Sequence, residues 1–523
     1  MISLTVYGGA AGDESTGEIG GNKILIEWDE RAYFLDFGRR FSVSARFFEE
    51  FLQPRNAVGL RDYLRMGLLP PIEGIYRDDL TAHEPDLWGQ YRGHPHYRRL
   101  EKLDGVLLSH AHADHNGDLG FLRPDIPVYT GLMTCVIGKG VQDTRAGGPD
   151  AEFCYIAPRR PTGDGAIESI RNMPKVERAH LICDPTGEYA EPVARLERFW
   201  CDVPSTRTEL DEVPLGFADL AAMGMRFFRV DHSIPGAAAF ALETAIGWVV
   251  YSGDLRRHGH SKWRTEQFAE EAAALKPAVL IVEGTSLRAE PALEEPAVEE
   301  AAAEVVGNEP GLVIADFSPR NIERLRTFHD IAKEQGRRLV VTTRDAYLLE
   351  HMHVVDPEIP RPDSEVIAIL KEPAAQRNIW ERDLLVRFAA NVVEAPSIRA
   401  EPGAYIVCIS FWDITNLVDL EPQGGTYIYS SSEAFNEEQK IDHQRLQAWL
   451  DDFGLKAVGG LPGAEKGPYH ASGHIDGPSM EWLIETIDPG KIVPVHSQQR
   501  EWFERRWGER VVRADYGVPL ELG

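Results

Sequence analysis

The sequence predicts an α/β fold in which layered sheets present polar side chains at strand ends, with a second α/β unit set into the chain. Three observations carry this expectation. Short apolar runs recur and stop at polar residues or Gly, as in residues 2–7, 105–110 and 278–282. From Leu312 the pattern changes to strand, helix, strand, with Gly336 as a helix stop. The third is His110-Ala-His112-Ala-Asp114-His115, directly after the apolar run Gly105-Val-Leu-Leu-Ser. With 523 residues and 43% hydrophobic content the chain can bury a large core in more than one unit, which excludes disorder, a fibrous repeat and a disulfide-stapled miniprotein.

In chain order, residues 2–7 read as a strand ending at a Gly-rich turn. Residues 23–36 read as an alternating strand that stops at Asp36-Phe37-Gly38, giving a hairpin-like start. Residues 39–100 carry helical patterns broken at Pro70-Pro71 and look like an elaboration between core strands. Residues 130–215, rich in Pro, Gly and Arg, look like a further insertion. Strand patterns resume at 225–230, 238–243, 248–251 and 278–282. Between Arg288 and Glu309 seven Glu face one Arg, the mark of a linker and a solvated helix face. A compact α/β unit follows, with strands at 312–315, 338–342, 405–409 and 427–429 and helices at 321–335 and 437–453. The tail then returns to strand ends bearing His474 and His496. The expected division is 1–287, with insertions near 39–100 and 130–215, then 288–462, then 463–523.

Composition narrows the setting. Acidic residues outnumber basic ones by 83 to 55, a formal charge of −28, so the average surface repels a polyanion and any nucleic-acid contact must be locally basic. Five Cys are too few for a disulfide framework. Those at 135, 154, 183 and 201 lack the short paired spacing of a zinc site, so buried free thiols in a reducing cytoplasm are expected. No basic leader and no membrane-length apolar run is present, so no membrane association is expected.

Chemistry concentrates at residues 110–115. On one helix successive side chains turn by about 100°, which would scatter these four groups around the axis. A loop leaving a strand can turn them all to one point. Imidazole nitrogen and carboxylate oxygen suit zinc or a similar divalent ion, and four such groups exceed what one catalytic metal with an open position needs. Two adjacent metals follow. Other matches are weak singly: Asp231-His232 also reads as a strand-end pair, Asp254 as a helix cap, and Asp36 as a turn residue before Gly38.

The set is more specific. Asp36 in Leu-Asp-Phe-Gly, the cluster at 110–115, His232 in Asp-His-Ser-Ile-Pro-Gly and Asp254 in Tyr-Ser-Gly-Asp-Leu together resemble the metallo-β-lactamase superfamily. Glu283 in Val-Glu-Gly-Thr, His470-Ala-Ser-Gly-His474 and Pro494-Val-His496-Ser resemble the further motifs of its β-CASP nucleases. Within these the ribonuclease J family is most similar, through Gly17-Glu-Ile-Gly-Gly-Asn22, Ser-Ile-Pro after His232 and Ser-Gly-His474. The resemblance implies an αββα sandwich carrying an inserted β-CASP α/β domain. It implies two divalent ions, zinc or else manganese, one held by His110, His112 and His232, the other by Asp114, His115 and His496, with Asp254 bridging. Asp36 would orient a ligand or the nucleophilic water, His474 would be the general acid and Glu283 its partner. His470 and Ser472 would donate hydrogen bonds to a substrate phosphate; the alternative for both is to stabilise the loop presenting His474.

The implied activity is metal-dependent hydrolysis of single-stranded RNA, leaving 5′ phosphate and 3′ hydroxyl ends, with His496 tilting the choice from DNA toward RNA. The other reading is hydrolysis of a small phosphoester or other ester. Two locally basic stretches suit RNA: residues 256–264, with Arg256, Arg257, Lys262 and Arg264 and no acid, and residues 491–513, with six basic against three acidic residues and Trp502 and Trp507 interleaved. For the Trp pair, a helix packing its aromatic face inward is the favoured reading. Ser318-Pro-Arg-Asn321 suits either a phosphate cradle or a plain helix cap. Only 27 residues follow His496, fewer than the separate C-terminal domain common in ribonuclease J requires, so the expected assembly, a homodimer, lacks that domain.

Overall fold

In the computed structural model of the chain, all residues are described except 1, 13–15, 50, 82–85, 146, 171–172, 205–207, 211–214, 288–289, 319, 432–436, 462–463, 465–466 and 523. Two sheets form a sandwich. The first has the strand order Leu215–Phe217, His180–Ile182, Val128–Thr130, Gly105–Leu107, Arg31–Leu35, Lys23–Trp28, Ile2–Gly8 and Leu520–Glu521. The second runs Met225–Arg229, Ala238–Thr244, Gly247–Tyr251, Val279–Val282 and Lys491–Pro494. Side-chain alternation explains the layers. Val279 and Ile281 join Leu4, Ile24, Ile26 and Leu35 in the core between the sheets. Leu280 and Val282 face the other way, onto Phe268 and Ala272 of the helix Lys262–Leu275 and Leu483 and Ile484 of the helix Gly477–Ile487.

The first sheet is covered on its outer face as well. Leu25, Phe34 and Val106 pack with Leu60, Tyr63, Leu64, Leu69 and Ile72, and with Leu132 and Val136 of the helix Leu132–Thr144. The elaboration at 39–100 therefore acts as a lid on this sheet. Its expected helices are cut short: one runs only from Arg61 to Arg65, before Pro70-Pro71, and Gly74 turns at φ +101° where a Cβ would meet the Leu100 carbonyl. Residues 23–36 form two strands and not one, reversed at Asp29 (φ +48°). Within 130–215, His180–Ile182 and Leu215–Phe217 pair in parallel into the first sheet, so this stretch is partly sheet edge.

The third sheet lies between the last two strands of the second in sequence. Its seven strands are Val392–Val393, Ile367–Leu370, Arg338–Val341, Tyr405–Cys408, Val313–Asp316, Gly425–Tyr429 and Leu455–Gly459 in spatial order, every neighbour parallel. Helices cover both faces, as a parallel sheet requires. Asn321 caps the helix Ile322–Glu334 by accepting from Arg324 N–H, and Thr342 with Asp345 forms a capping box on the helix Thr343–Val355. The chain then returns, and Lys491–Pro494 pairs in parallel with Val279–Val282. The expected seams at 288 and 462–463 lie outside the described residues.

The inserted unit is locked to the sandwich through a buried polar knot. Lys139 bonds Asp143 at 2.7 Å, and the same carboxylate accepts from the hydroxyls of Tyr155 (2.8 Å) and Tyr347 (2.9 Å), the latter on the helix Thr343–Val355. Cys135, Cys154, Cys183 and Cys408 are buried free thiols. No helix among the described residues is long and apolar enough to cross a membrane.

Candidate metal centre

Strand direction places the site. Gly247–Tyr251, Val279–Val282 and Lys491–Pro494 are mutually parallel, and Met225–Arg229 runs the same way because two antiparallel pairings separate it from Gly247–Tyr251. Their ends deliver His232, Asp254, Glu283 and His496 to one edge of the sandwich. The parallel strands Arg31–Leu35 and Gly105–Leu107 deliver Asp36 and His110 to that same edge. Two tight approaches need glycine: a Cβ on Gly38 would overlap the Asp114 carbonyl oxygen at 1.7 Å, and one on Gly253 (φ +57°) would meet the Ala238 oxygen at 2.7 Å. Asp36 and His496 themselves take positive φ, +58° and +52°, a conformation costly for such residues and concentrated at functional sites.

Two donor sets result. His110 Nε2 and His232 Nε2 each lie 3.1 Å from His112 Nδ1. Burial pushes His112 down to about 3 and holds His110 and His232 well below the usual imidazole range, the neighbouring rings adding to the latter two shifts. Three neutral rings thus aim lone pairs at a common point. In the second set His496 Nε2 is 3.3 Å from Asp114 Oδ2, and His115 Nε2 is 3.0 Å from Asp254 Oδ2. Asp254 stands between the sets, 4.0 Å from His110 Nε2 and 3.7 Å from His496 Nε2. Burial alone would raise its carboxyl, but His115, His496 and His474 hold it well below the usual range.

Hydrogen bonds behind the rings fix their orientation. Asp36 Oδ2 accepts from His115 Nδ1 at 2.7 Å, the Tyr251 hydroxyl at 2.6 Å and the Ser109 hydroxyl at 2.8 Å, while its Oδ1 accepts from Ser109 N–H at 2.7 Å. His232 Nδ1 donates to the Gly473 carbonyl at 2.5 Å, and His496 Nδ1 pairs with the Thr285 hydroxyl at 2.6 Å. Ser109, Tyr251 and Thr285 were not singled out from the sequence, although each lies one to three positions from a residue that was. Their roles arise from contacts across strands that no local spacing encodes.

His474 lies at the rim with Nδ1 2.9 Å from Glu283 Oε2 and 3.7 Å from Asp254 Oδ2. Burial opposes its charge, yet Glu283 and Asp254 carry its pKa up to about 9. Glu283 also accepts from Leu255 N–H at 2.8 Å. Ser472 Oγ accepts from His474 N–H at 3.1 Å, so this hydroxyl holds the loop. His470 is half-buried, its Nδ1 donating to the Ser430 carbonyl at 3.2 Å, and burial lowers it to about 4.

Within the basic stretch at 256–264, Arg256 departs from its expected use. Arg256 is fully buried, bonded to Glu295 at 3.0 Å and to Glu323 at 2.5 Å, and is not an RNA-facing charge. Arg257 lies over the Trp482 ring and pairs with Glu266. Trp502 and Trp507 pack onto Phe503 and the adjoining core, as the inward-facing reading expects. Asn321 is a plain cap; Pro319 lies outside the described residues. Its neighbour Arg320 is half-buried and feels the Asp114 carboxylate, although burial lowers its pKa.

A family model described as a beta-lactamase superfamily domain matches residues 84–144, the stretch containing the histidine cluster. Ribonuclease J of Pyrococcus abyssi is 22% identical over 517 residues, covering 96% of this chain and 90% of that protein. The chain has the metallo-β-lactamase fold and is similar over most of its length to ribonuclease J. Ribonuclease J 2 of Streptococcus pyogenes is also 22% identical, but this chain spans 60% of its length. A crystal structure of a protein of unknown function from Enterococcus faecalis superposes with a TM-score of 0.66 at 19% identity, covering 99% of this chain and all of that one, which establishes the shared fold.

The metallo-β-lactamase fold implies divalent metal ions, and the residues fit them. His110, His112 and His232 bring ligand atoms within 4.8 Å of one another, as do Asp114, His115, Asp254 and His496. Asp254 Oδ1 is a buried acceptor with no hydrogen-bond partner, an expensive arrangement that a cation removes. Replacing Asp36 with Asn deprives His115 of its anionic partner; metal affinity is expected to fall about 10- to 100-fold. Competition with a fluorescent chelator measures it.

Proposed function

We propose that the protein is a metal-dependent ribonuclease that hydrolyses phosphodiester bonds of single-stranded RNA, leaving 5′ phosphate and 3′ hydroxyl ends. The observation that carries this reading is the convergence of the two donor sets about Asp254, with His474 beside them and paired to Glu283 at 2.9 Å. The names of the similar proteins supply the substrate class.

His110, His112 and His232 would hold one ion, Asp114, His115 and His496 the other, and Asp254 both, with zinc or manganese as the native metal. When bound, such a pair supplies an activated water and neutralises charge on a phosphodiester. The protein does the rest. Asp36 keeps His115 in the tautomer that turns Nε2 to the site. His474, charged through Glu283, gives its proton to the leaving 3′ oxygen. Arg320, reaching in from the inserted unit toward Asp114, is placed to attract a substrate phosphate. His470 and Ser472 are candidates for the same task, Ser472 through its hydroxyl hydrogen, while its oxygen accepts from His474 N–H. The division at 287 and 462 accords with a unit that closes over the metal edge.

The test is incubation of purified protein with 5′ monophosphorylated and triphosphorylated single-stranded RNA, with and without prior chelation. Cleavage by the loaded protein, its loss on chelation and its return with zinc or manganese are expected. Turnover of small phosphoesters with intact RNA would overturn the assignment. Mononucleotides from the monophosphorylated end would mark exonuclease action, and internal fragments endonuclease action.

A further inference from the structure

Between the metal edge and the inserted unit runs a buried ionic chain that the chemistry above leaves unused. Arg256, two residues beyond Asp254, and Glu295, the first residue of the helix Glu295–Asn308, are both fully buried and joined at 3.0 Å. Glu295 uses its other oxygen to bond Arg324 Nη2 at 2.8 Å, again with no exposure on either side. Arg324 Nη1 donates to the carbonyls of Tyr469 (2.8 Å) and Ser430 (3.1 Å). Arg256 Nη1 donates to the carbonyl of Ser472 at 3.2 Å, which also accepts from His258 Nε2 at 2.7 Å. Glu295 thus bridges two guanidiniums that grip both ends of the segment leading to His474, and Arg256 is further held by Glu323 at 2.5 Å and faces Asp231 at 3.4 Å.

We propose that Glu295 is a positioning residue for the proton-donating step, setting through Arg256 and Arg324 where His474 stands; this rests on the reading of His474 as the acid. A packing role alone accounts poorly for the chain. Burying Arg256, Glu295 and Arg324, with Asp231 also against Arg256, is costly in desolvation, and well-packed apolar side chains often do as well or better for stability. What the triad adds is direction: each guanidinium offers fixed donors to the carbonyls of this segment, beside His258 at Ser472 and the Ser430 hydroxyl at Tyr469. The metal ligands are held by other bonds, through Asp36, Ser109 and Thr285, while His232 bonds this segment at Gly473. The acid is therefore the group that should move when Glu295 is altered.

The experiment compares Glu295→Gln, Glu295→Asp and His474→Ala on two substrates: single-stranded RNA, and the same RNA with sulfur in place of each bridging 3′ oxygen, whose thiolate leaves without a proton. Bound metal and far-UV circular dichroism are recorded for each variant. Both Glu295 variants are expected to keep metal and fold, to lower kcat on normal RNA about 10- to 100-fold with KM unchanged, and to approach the parent on the sulfur substrate. Equal slowing on both substrates, no slowing on RNA, or loss of fold in both Glu295 variants would overturn the inference. If His474→Ala itself fails to distinguish the substrates, the proton-donor reading falls, a result separate from failure of Glu295 alone.

Discussion

Replacing Asp254 with alanine is expected to lower RNA cleavage by at least about 10⁴-fold and to reduce bound metal from two equivalents to one or none. Among the described residues its carboxylate is the one acid within 4.0 Å of rings from both donor sets, at 3.0 Å from His115 and 4.0 Å from His110. Without it the first set is three neutral imidazoles, and Asp114 is the remaining anion of the second. Two cations would then repel each other with no shared counter-charge between them. Cleavage assays on metal-loaded protein, with elemental analysis of the same samples, check both parts. Activity unchanged in Asp254→Ala would mean that another site or a contaminant does the work.

His474→Ala is the second large effect, and it separates the acid from the ligands. A positioned general acid is worth about 10²–10⁴-fold, so kcat on RNA should fall by that amount. Bound metal should stay at the parent level, because His474 Nδ1 is engaged by Glu283 at 2.9 Å and neither donor set needs it. The rival arrangement groups His474 with Asp254, Glu283 and His496 as ligands. Loss of one metal equivalent in His474→Ala would favour that arrangement.

The parts of the site that were legible in the sequence are those written locally. His110, His112, Asp114 and His115 fall within six residues after an apolar run, so their convergence follows from a strand end opening into a loop. His232, Asp254, Glu283 and His496 are ambiguous one by one and were readable as a set through the family resemblance; in the fold each lies within three residues of a strand end on one edge. The strand at residues 279–282 is legible as a short apolar run, while its two faces, both apolar, are set by packing.

What was not legible depends on distant partners. The run at 256–264 looks like a basic surface, but Arg256 finds Glu295 and Glu323, 39 and 67 positions away, and is drawn into the interior. A side chain's charge cannot reveal which acid lies across a fold. Ser472 shows the same limit: its hydroxyl suits a phosphate as well as an amide, and its acceptance from His474 N–H depends on the turn at 472–474. The helices expected at 39–100 failed for a local reason, since prolines and turning glycines outweighed an apolar pattern that instead covers the outer sheet.

The central claim is that seven side chains hold a pair of cations about Asp254. Anomalous diffraction from crystals grown with zinc, measured on either side of its absorption edge, tests it most directly. Two peaks roughly 3.5–4 Å apart are predicted, one among His110, His112 and His232 and the other among Asp114, His115 and His496. No peak at these residues, or a single peak away from Asp254, would contradict the account.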